Sequence, residues 1–190
     1  MKYKGVASAC LAIAVSTITL TSTSASERAP SAAALANEQH AFRSADFSTL
    51  SLPNGANLRE IFRHYNGRRE RHATLYFFPQ FWNEWGWRTE GSMGFISSTP
   101  FEHSRPLYAC QLSGIKDAFF TSLDSGCDGQ FLSTFGMIGY ISGVPLPNTQ
   151  PLYRCYYNFK GRTSHFDTFD AKCENVRQSS LDGVLGYVFL

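Results

Sequence analysis

From about residue 50 to residue 190, apolar and polar positions alternate in short runs such as PLYRCYY, SHFDTFD and GVLGYVF, broken by Gly, Asn and Pro. That pattern predicts strands joined by turns. One hexamer recurs three times, as GSMGFI (91–96), GMIGYI (136–141) and GVLGYV (183–188), with first glycines 45 and 47 residues apart. SSTPFEHSRPLYACQ and SGVPLPNTQPLYRCY follow the first two copies with matching spacing. Leu52-Pro53-Asn54 stands six residues ahead of Leu58 as Leu146-Pro147-Asn148 stands six ahead of Leu152, so the units start near Leu58, Leu107 and Leu152, at intervals of 49 and 45. Repetition on that scale names the architecture before any single residue does. Four short strands in about 46 residues, taken three times, predict an all-β, twelve-stranded, pseudo-threefold β-trefoil. An open solenoid needs capping units, and a propeller typically has at least four blades. In this reading the hexamers are three related core strands, their glycines allowing close backbone approach and their aromatic and β-branched residues pointing inward. The third hexamer closes the fold beside Leu50–Leu52.

The ends of the chain carry different patterns. Lys2 and Lys4, the apolar run Val6–Leu20 and Thr23-Ser24-Ala25 read as a signal peptide over 1–25, with the mature start near Ser26. Residues 26–50 are rich in Ala and Ser and read as a mobile leader with one helical turn near Ala32–Ala36; residues 51–190 form the three-repeat domain. No later stretch is long and apolar enough to span a membrane, so the expected product is secreted. Of 17 Lys+Arg, Lys2 and Lys4 leave with the signal, and 15 basic residues then face 15 acidic ones. That balance argues against a nucleic-acid partner.

The residues PLYRCY (151–156), HF (165–166), Cys173 and GVLGYV (183–188) carry a resemblance. They are similar to a short repeat of unknown function appended to secreted bacterial glycoside hydrolases and peptidases. Its pattern runs Leu-Tyr-Arg-x-Tyr, then an Asp-His-Phe-Tyr-Thr-like strand, then Gly-x-x-Gly-Tyr. The second unit fits through PLYACQ, FFTSLD and GMIGYI; the first is degenerate, with LREIFR and HATLYF. The resemblance implies a non-catalytic accessory module that binds polysaccharide or a cell surface, with no cofactor.

Four cysteines remain after export. Repeat logic pairs Cys110 with Cys127 and Cys155 with Cys173, at separations of 17 and 18. Each bridge would staple a unit's first strand to the turn after its middle strand, stabilising by about 3 kcal/mol in the chain-entropy model. The first unit has Ile61 at the matching position and no cysteine. No Cys or His spacing suits a metal, and no nucleophile elbow, zinc-protease or phosphate-loop motif occurs.

Three stretches hold candidate binding chemistry. FPQFWNEWGWRTEG (78–91) contains Trp82, Trp85 and Trp87. Their rings are either a platform for sugar faces or a replacement for the core and disulfide the first unit lacks. Trp85 and Trp87 alternate and are expected on one strand face. SLDSGCD and TFDAKCE place Asp124 and Asp170 three residues before a bridged cysteine, as hydroxyl acceptors or as turn caps, with Tyr157 and His165 nearby. The arginine-rich run 59–72 is either an anion site or a hairpin tip centred on Asn66-Gly67. The function expected is a carbohydrate- or cell-surface-binding module whose partner is a glycan. The alternative is a protease inhibitor or other protein-interaction trefoil, and a small glycoside hydrolase ranks third.

Overall fold

The computed structural model describes residues 52–159 and 161–190; the expected signal peptide and leader lie outside the described residues. The strands are β1 (Leu58–Asn66), β2 (Arg71–Leu75), β3 (Trp87–Ser97), β4 (Ser104–Gln111), β5 (Phe119–Ser122), β6 (Phe131–Ser142), β7 (Thr149–Phe159), β8 (Arg162–Thr168) and β9 (Ser179–Phe189). All pair antiparallel, and among the described residues there is no α-helix.

Nine strands stand where twelve were expected. They form three triplets with one pairing scheme: in each, the first strand lies between the second and the third. The chain between second and third strands makes turns instead of another strand. In two triplets that turn is a single 3-10 turn, Cys127–Gly129 or Cys173–Asn175. The bridges Cys110–Cys127 and Cys155–Cys173 are both present and tie these turns to the first strands.

The hexamers lie where the triplets meet. Ser97 pairs with Tyr140, Ser142 with Tyr187 and Phe95 with Phe189, so each third strand touches the other two. Among the described residues, β9 therefore finds its closing partner in β3. Inside the hexamers, Met93, Ile138 and Leu185 are buried, as are Ile96, Ile141 and Val188, while Phe95, Tyr140 and Tyr187 are only half-buried. The inward pair is thus the residue before the second glycine and the β-branched residue, not the aromatic one. Side chains alternate along a strand, so two adjacent residues cannot both face the core.

Register also corrects the alignment of the first triplet. Glu60 pairs with Phe95 as Pro106 does with Tyr140 and Pro151 with Tyr187. Ile61, Leu107 and Leu152 are therefore equivalent, and each is fully buried. The cysteine position in the first triplet belongs to His64. Its ring replaces the bridge with hydrogen-bonding contacts, Nδ1 to Thr89 Oγ1 at 3.1 Å and Nε2 to the Phe77 carbonyl at 3.2 Å. Burial lowers its pKa to about 4.

The three second strands also converge. Thr74, Thr121 and Asp167 hold the same register position and are all buried. The Thr121 hydroxyl lies 2.7 and 2.9 Å from the two Asp167 carboxyl oxygens, and Thr74 also hydrogen-bonds to the group. Burial raises the Asp167 pKa above the ordinary range, outweighing Thr121, Thr74, Arg154 and Arg63. A raised acid stabilises the fold below its unfolded pKa and loses that contribution as pH rises through its folded pKa. Asp167→Asn keeps the shape and stays neutral. It is expected to remove the loss of stability that the ionising carboxyl brings as pH rises above the unfolded value of about 4, and so to stabilise the protein more at about pH 9 than at about pH 5. Urea unfolding at both pH values checks this; equal losses at both would mean the hydroxyls require an ionised carboxylate.

Candidate functional site

One arrangement of charged side chains occurs twice, each time where two triplets meet. Between the first and third triplets, Arg63 on β1 donates from Nε to Glu90 Oε2 at 2.8 Å and from Nη1 to Glu174 Oε1 at 2.5 Å. It also donates to the Asp167 carbonyl across the junction at 3.0 Å. Between the third and second triplets, Arg154 on β7 donates from Nε to Asp182 Oδ2 at 2.6 Å and from Nη1 to Asp128 Oδ2 at 2.8 Å. Its carbonyl partner is Thr121, at 2.7 Å. Glu90 and Asp182 each precede the first hexamer glycine; Glu174 and Asp128 each follow a bridged cysteine. A hydroxyl supports each second carboxylate, Thr168 Oγ1 at 2.7 Å and Ser122 Oγ at 3.2 Å.

The same histidine stands beside each arginine. His72 Nε2 lies 3.5 Å from Glu90, and His165 Nε2 lies 3.6 Å from Asp182. His72 packs between the tilted rings of Tyr65 and Phe166, at centroid distances of 4.7 and 5.4 Å; His165 packs likewise between Tyr156 and Phe120, at 5.2 and 5.1 Å. Burial, then the neighbouring arginine, pushes the His72 pKa down to about 3. Burial likewise lowers His165 to about 4 against the pull of Asp182. Burial alone would raise Glu174, but Arg63 and Thr168 hold its carboxyl below the usual range. Charged groups fixed in this way present donors and acceptors without further ordering when a polar ligand arrives.

Asp124 and Asp170 create the second carboxylate of each cluster. Asp124 accepts from the backbone N–H of Gly126 and Asp128 at 3.0 and 3.1 Å, and Asp170 from Lys172 and Glu174 at 2.8 and 3.0 Å. These bonds hold Cys127-Asp128 and Cys173-Glu174 at positive φ, a region such residues rarely adopt, and so aim the following acid at its arginine. The two aspartates are turn caps that position the site.

The third junction, between the second and first triplets, lacks this chemistry. Register puts Ala109 in the arginine's place, Phe119 in the histidine's, and Phe135 before the first glycine. Trp82 and Trp87 fill it, each 3% exposed, with their rings stacked at 4.2 Å and Trp82 lying 5.7 Å from Phe119. These two tryptophans are core residues. Trp85 does not share a face with Trp87: it sits in the turn before β3 and is 53% exposed, in a stretch of chain that also exposes Tyr76, Phe77, Phe78 and Phe81. The arginine-rich run does end β1 in a tip at Asn66-Gly67, and several of its guanidinium groups contact protein. Arg59 covers the Tyr76 ring at 4.0 Å, Arg69 pairs with Asp117 at 2.5 Å, and Arg71 bonds to the Thr163 carbonyl.

A cleft opens over each charged cluster. One of about 410 Å³ is lined by Arg63, Glu90, Gly91, Ser92, Asp170 and Glu174 among others. Its counterpart, also about 410 Å³, is lined by Arg154, Asp124, Asp128, Gly183, Val184 and Arg105 among others. A third hollow of about 350 Å³, against the first cluster, is lined by Tyr65, His72, Tyr157 and Phe166 with Glu70, Glu174, Val176 and Arg177. Of the residues singled out in the sequence, Tyr157 is thus at the first junction and His165 at the second. Arg63 belongs to the arginine-rich run singled out in the sequence; Glu90, Glu174, Arg154 and Asp182 are read only from the structure, as is the pairing of Asp128 with Arg154. Their trace in the sequence is an acid immediately before Gly-x-x-Gly and another immediately after Cys, in EGSMG with CEN and in DGVLG with CDG. Among the described residues, no group of His, Cys, Asp and Glu is arranged to hold a metal ion. Compared with protein-family models, curated proteins and solved structures, the chain finds no match in any of the three.

Proposed function

We propose that this chain is a secreted, non-catalytic carbohydrate-binding module on a pseudo-threefold β-trefoil, of the appended-repeat kind that its sequence resembles. The observation that carries the reading is the cleft built twice, in the same size and from equivalent residues, around an arginine clamped by two carboxylates. Sugar hydroxyls are both donors and acceptors, and rigid guanidinium–carboxylate pairs satisfy both. Met93 and Phe169 line one cleft and Leu123, Val184 and Leu185 the other, giving each an apolar wall for the ring carbons. Asp124 and Asp170 are engaged with backbone N–H groups, and Glu90, Glu174, Asp182 and Asp128 with guanidinium groups, which favours binding over turnover.

Two glycines permit a clean test. Gly91 and Gly183 each line one cleft, have ordinary φ, and offer open space to a new side chain. Gly91→Trp and Gly183→Trp are expected to leave the fold intact and each to block one cleft. In a binding screen over immobilised neutral polysaccharides, each single variant should retain binding but lose the ability to precipitate soluble polysaccharide, which needs two sites. The double variant should bind at least about 100-fold more weakly, beyond what one lost site gives. Unchanged binding by the double variant would remove the clefts from the reading. Stoichiometric protease inhibition without glycan affinity would replace it.

A further inference from the structure

The hollow of about 350 Å³ and the first cleft share one wall residue, Glu174. We infer that the hollow is an aromatic subsite continuous with that cleft, so that the junction of the first and third triplets takes two consecutive units of a gluco-configured glycan. This rests on the carbohydrate-binding reading.

Rings give the hollow its character. Tyr65, His72, Phe166 and Tyr157 form a continuous series, with neighbouring centroids 4.7, 5.4 and 6.3 Å apart. A pyranose whose hydroxyls are all equatorial shows C–H groups on its faces, and aromatic surfaces select for that shape. Two acids of the rim are already matched, Glu174 with Arg63 and Glu70 with Arg162 at 2.9 Å, while Arg177 is exposed, makes no salt bridge among the described residues and can donate to a hydroxyl. A neutral ligand suits such a rim better than a charged one, because it leaves both pairs intact. Hydrogen-bonding capacity remains: Tyr157, whose hydroxyl donates to the Glu70 carbonyl at 2.5 Å, keeps its oxygen as an acceptor. The volume lies within the usual range for small-molecule sites, about 300–1,000 Å³.

The second junction differs at the same places. Counting from the bridged cysteines, Leu112 replaces Tyr157, Gln130 replaces Val176 and Phe131 replaces Arg177. The tyrosine hydroxyl is lost there, so this junction takes one unit where the first takes two.

The test is calorimetric titration of the full chain with glucose, N-acetylglucosamine and their β-1,4-linked oligomers of two to six units. Affinity is expected to rise at least tenfold from one unit to two and then to level off. Val176 stands at the rim, 38% exposed, and Val176→Trp fills the hollow from outside. That variant should lose the step while keeping single-unit binding, and Gly183→Trp should keep the step. A step that survives Val176→Trp, or no step in the unaltered chain, overturns the subsite and leaves the cleft reading standing. No binding of any member of either series overturns the subsite too. The screen over neutral polysaccharides then decides separately whether the broader reading falls with it.

Discussion

Acidification from pH 7 to pH 4.5 is expected to destabilise the fold by about 4–7 kcal/mol, a large part of the roughly 5–15 kcal/mol that holds a typical domain together. The cause is three buried histidines, His64, His72 and His165, with pKa values lowered to about 4, 3 and 4. In the unfolded chain they take up protons near pH 6.5; in the folded protein they do not. The unfolded state thus binds more protons between about pH 6.5 and pH 4, and stability falls as pH falls, by about 1.4 kcal/mol per unit for each histidine. Asp167 works in the opposite direction, because burial raises its pKa and the folded state holds its proton, which offsets part of the loss. Glu174, held below its ordinary value chiefly by Arg63, adds acid sensitivity only below about pH 4.5. Urea midpoints at pH 7, 6, 5 and 4.5 measure the slope, and His165→Gln should flatten it by one proton. A midpoint that does not move across that range would contradict the burial of these rings.

The all-β fold and both disulfides were legible in the sequence because each is written as a repeat. Alternation with turn residues predicts strands, and the matching separations of Cys110–Cys127 and Cys155–Cys173 select one pairing of three. Strand count and first-triplet register were not legible. LPN at 52–54 resembles LPN at 146–148, and taking both as markers set Ile61 against the cysteines. Backbone pairing sets it against Leu107 and Leu152 instead. Once register is known, His64 is visible as the replacement for a bridge.

The candidate site was half legible for a different reason. A residue rare in composition, such as three tryptophans within six positions, attracts attention whether it is buried or exposed. Trp82 and Trp87 turned out to fill the junction that lacks an arginine, and only Trp85 reaches solvent. Arg63 stands out only as one member of the arginine-rich run and Arg154 not at all, since arginine on a strand usually faces water. Their role depends on partners more than 100 residues away in one case, Glu174, and on the junction of two triplets in both. Spacing along the chain cannot show such a junction; the equivalence of two junctions can.

That equivalence rests on close backbone approach, and three substitutions measure it. A Cβ at Gly94 would lie 2.6 Å from the Phe189 carbonyl oxygen, at Gly139 2.7 Å from that of Ser97, and at Gly186 2.5 Å from that of Ser142. Real Cβ atoms do not approach so closely, and the obstacle is backbone, which cannot swing aside as a flexible side chain can. The φ values of +75°, +153° and +151° add strain for any L side chain. Gly94→Ala, Gly139→Ala and Gly186→Ala are each expected to cost about 3–5 kcal/mol, combining strain and overpacking. Gly91→Ala and Gly183→Ala stand three residues earlier in two of the same hexamers, with ordinary φ and no atom within 4 Å. They should cost nothing, or stabilise by up to about 1 kcal/mol through lost freedom in the unfolded chain. Guanidinium unfolding of the five variants makes the comparison. Each costly alanine presses one triplet's last strand off its neighbour, so Gly94→Ala and Gly186→Ala, at the two junctions that carry clefts, should also weaken binding there by more than their unfolded fraction explains. Equal stability across all five would mean that the strands are not seated against one another as described, and the two clefts would lose the frame that makes them alike.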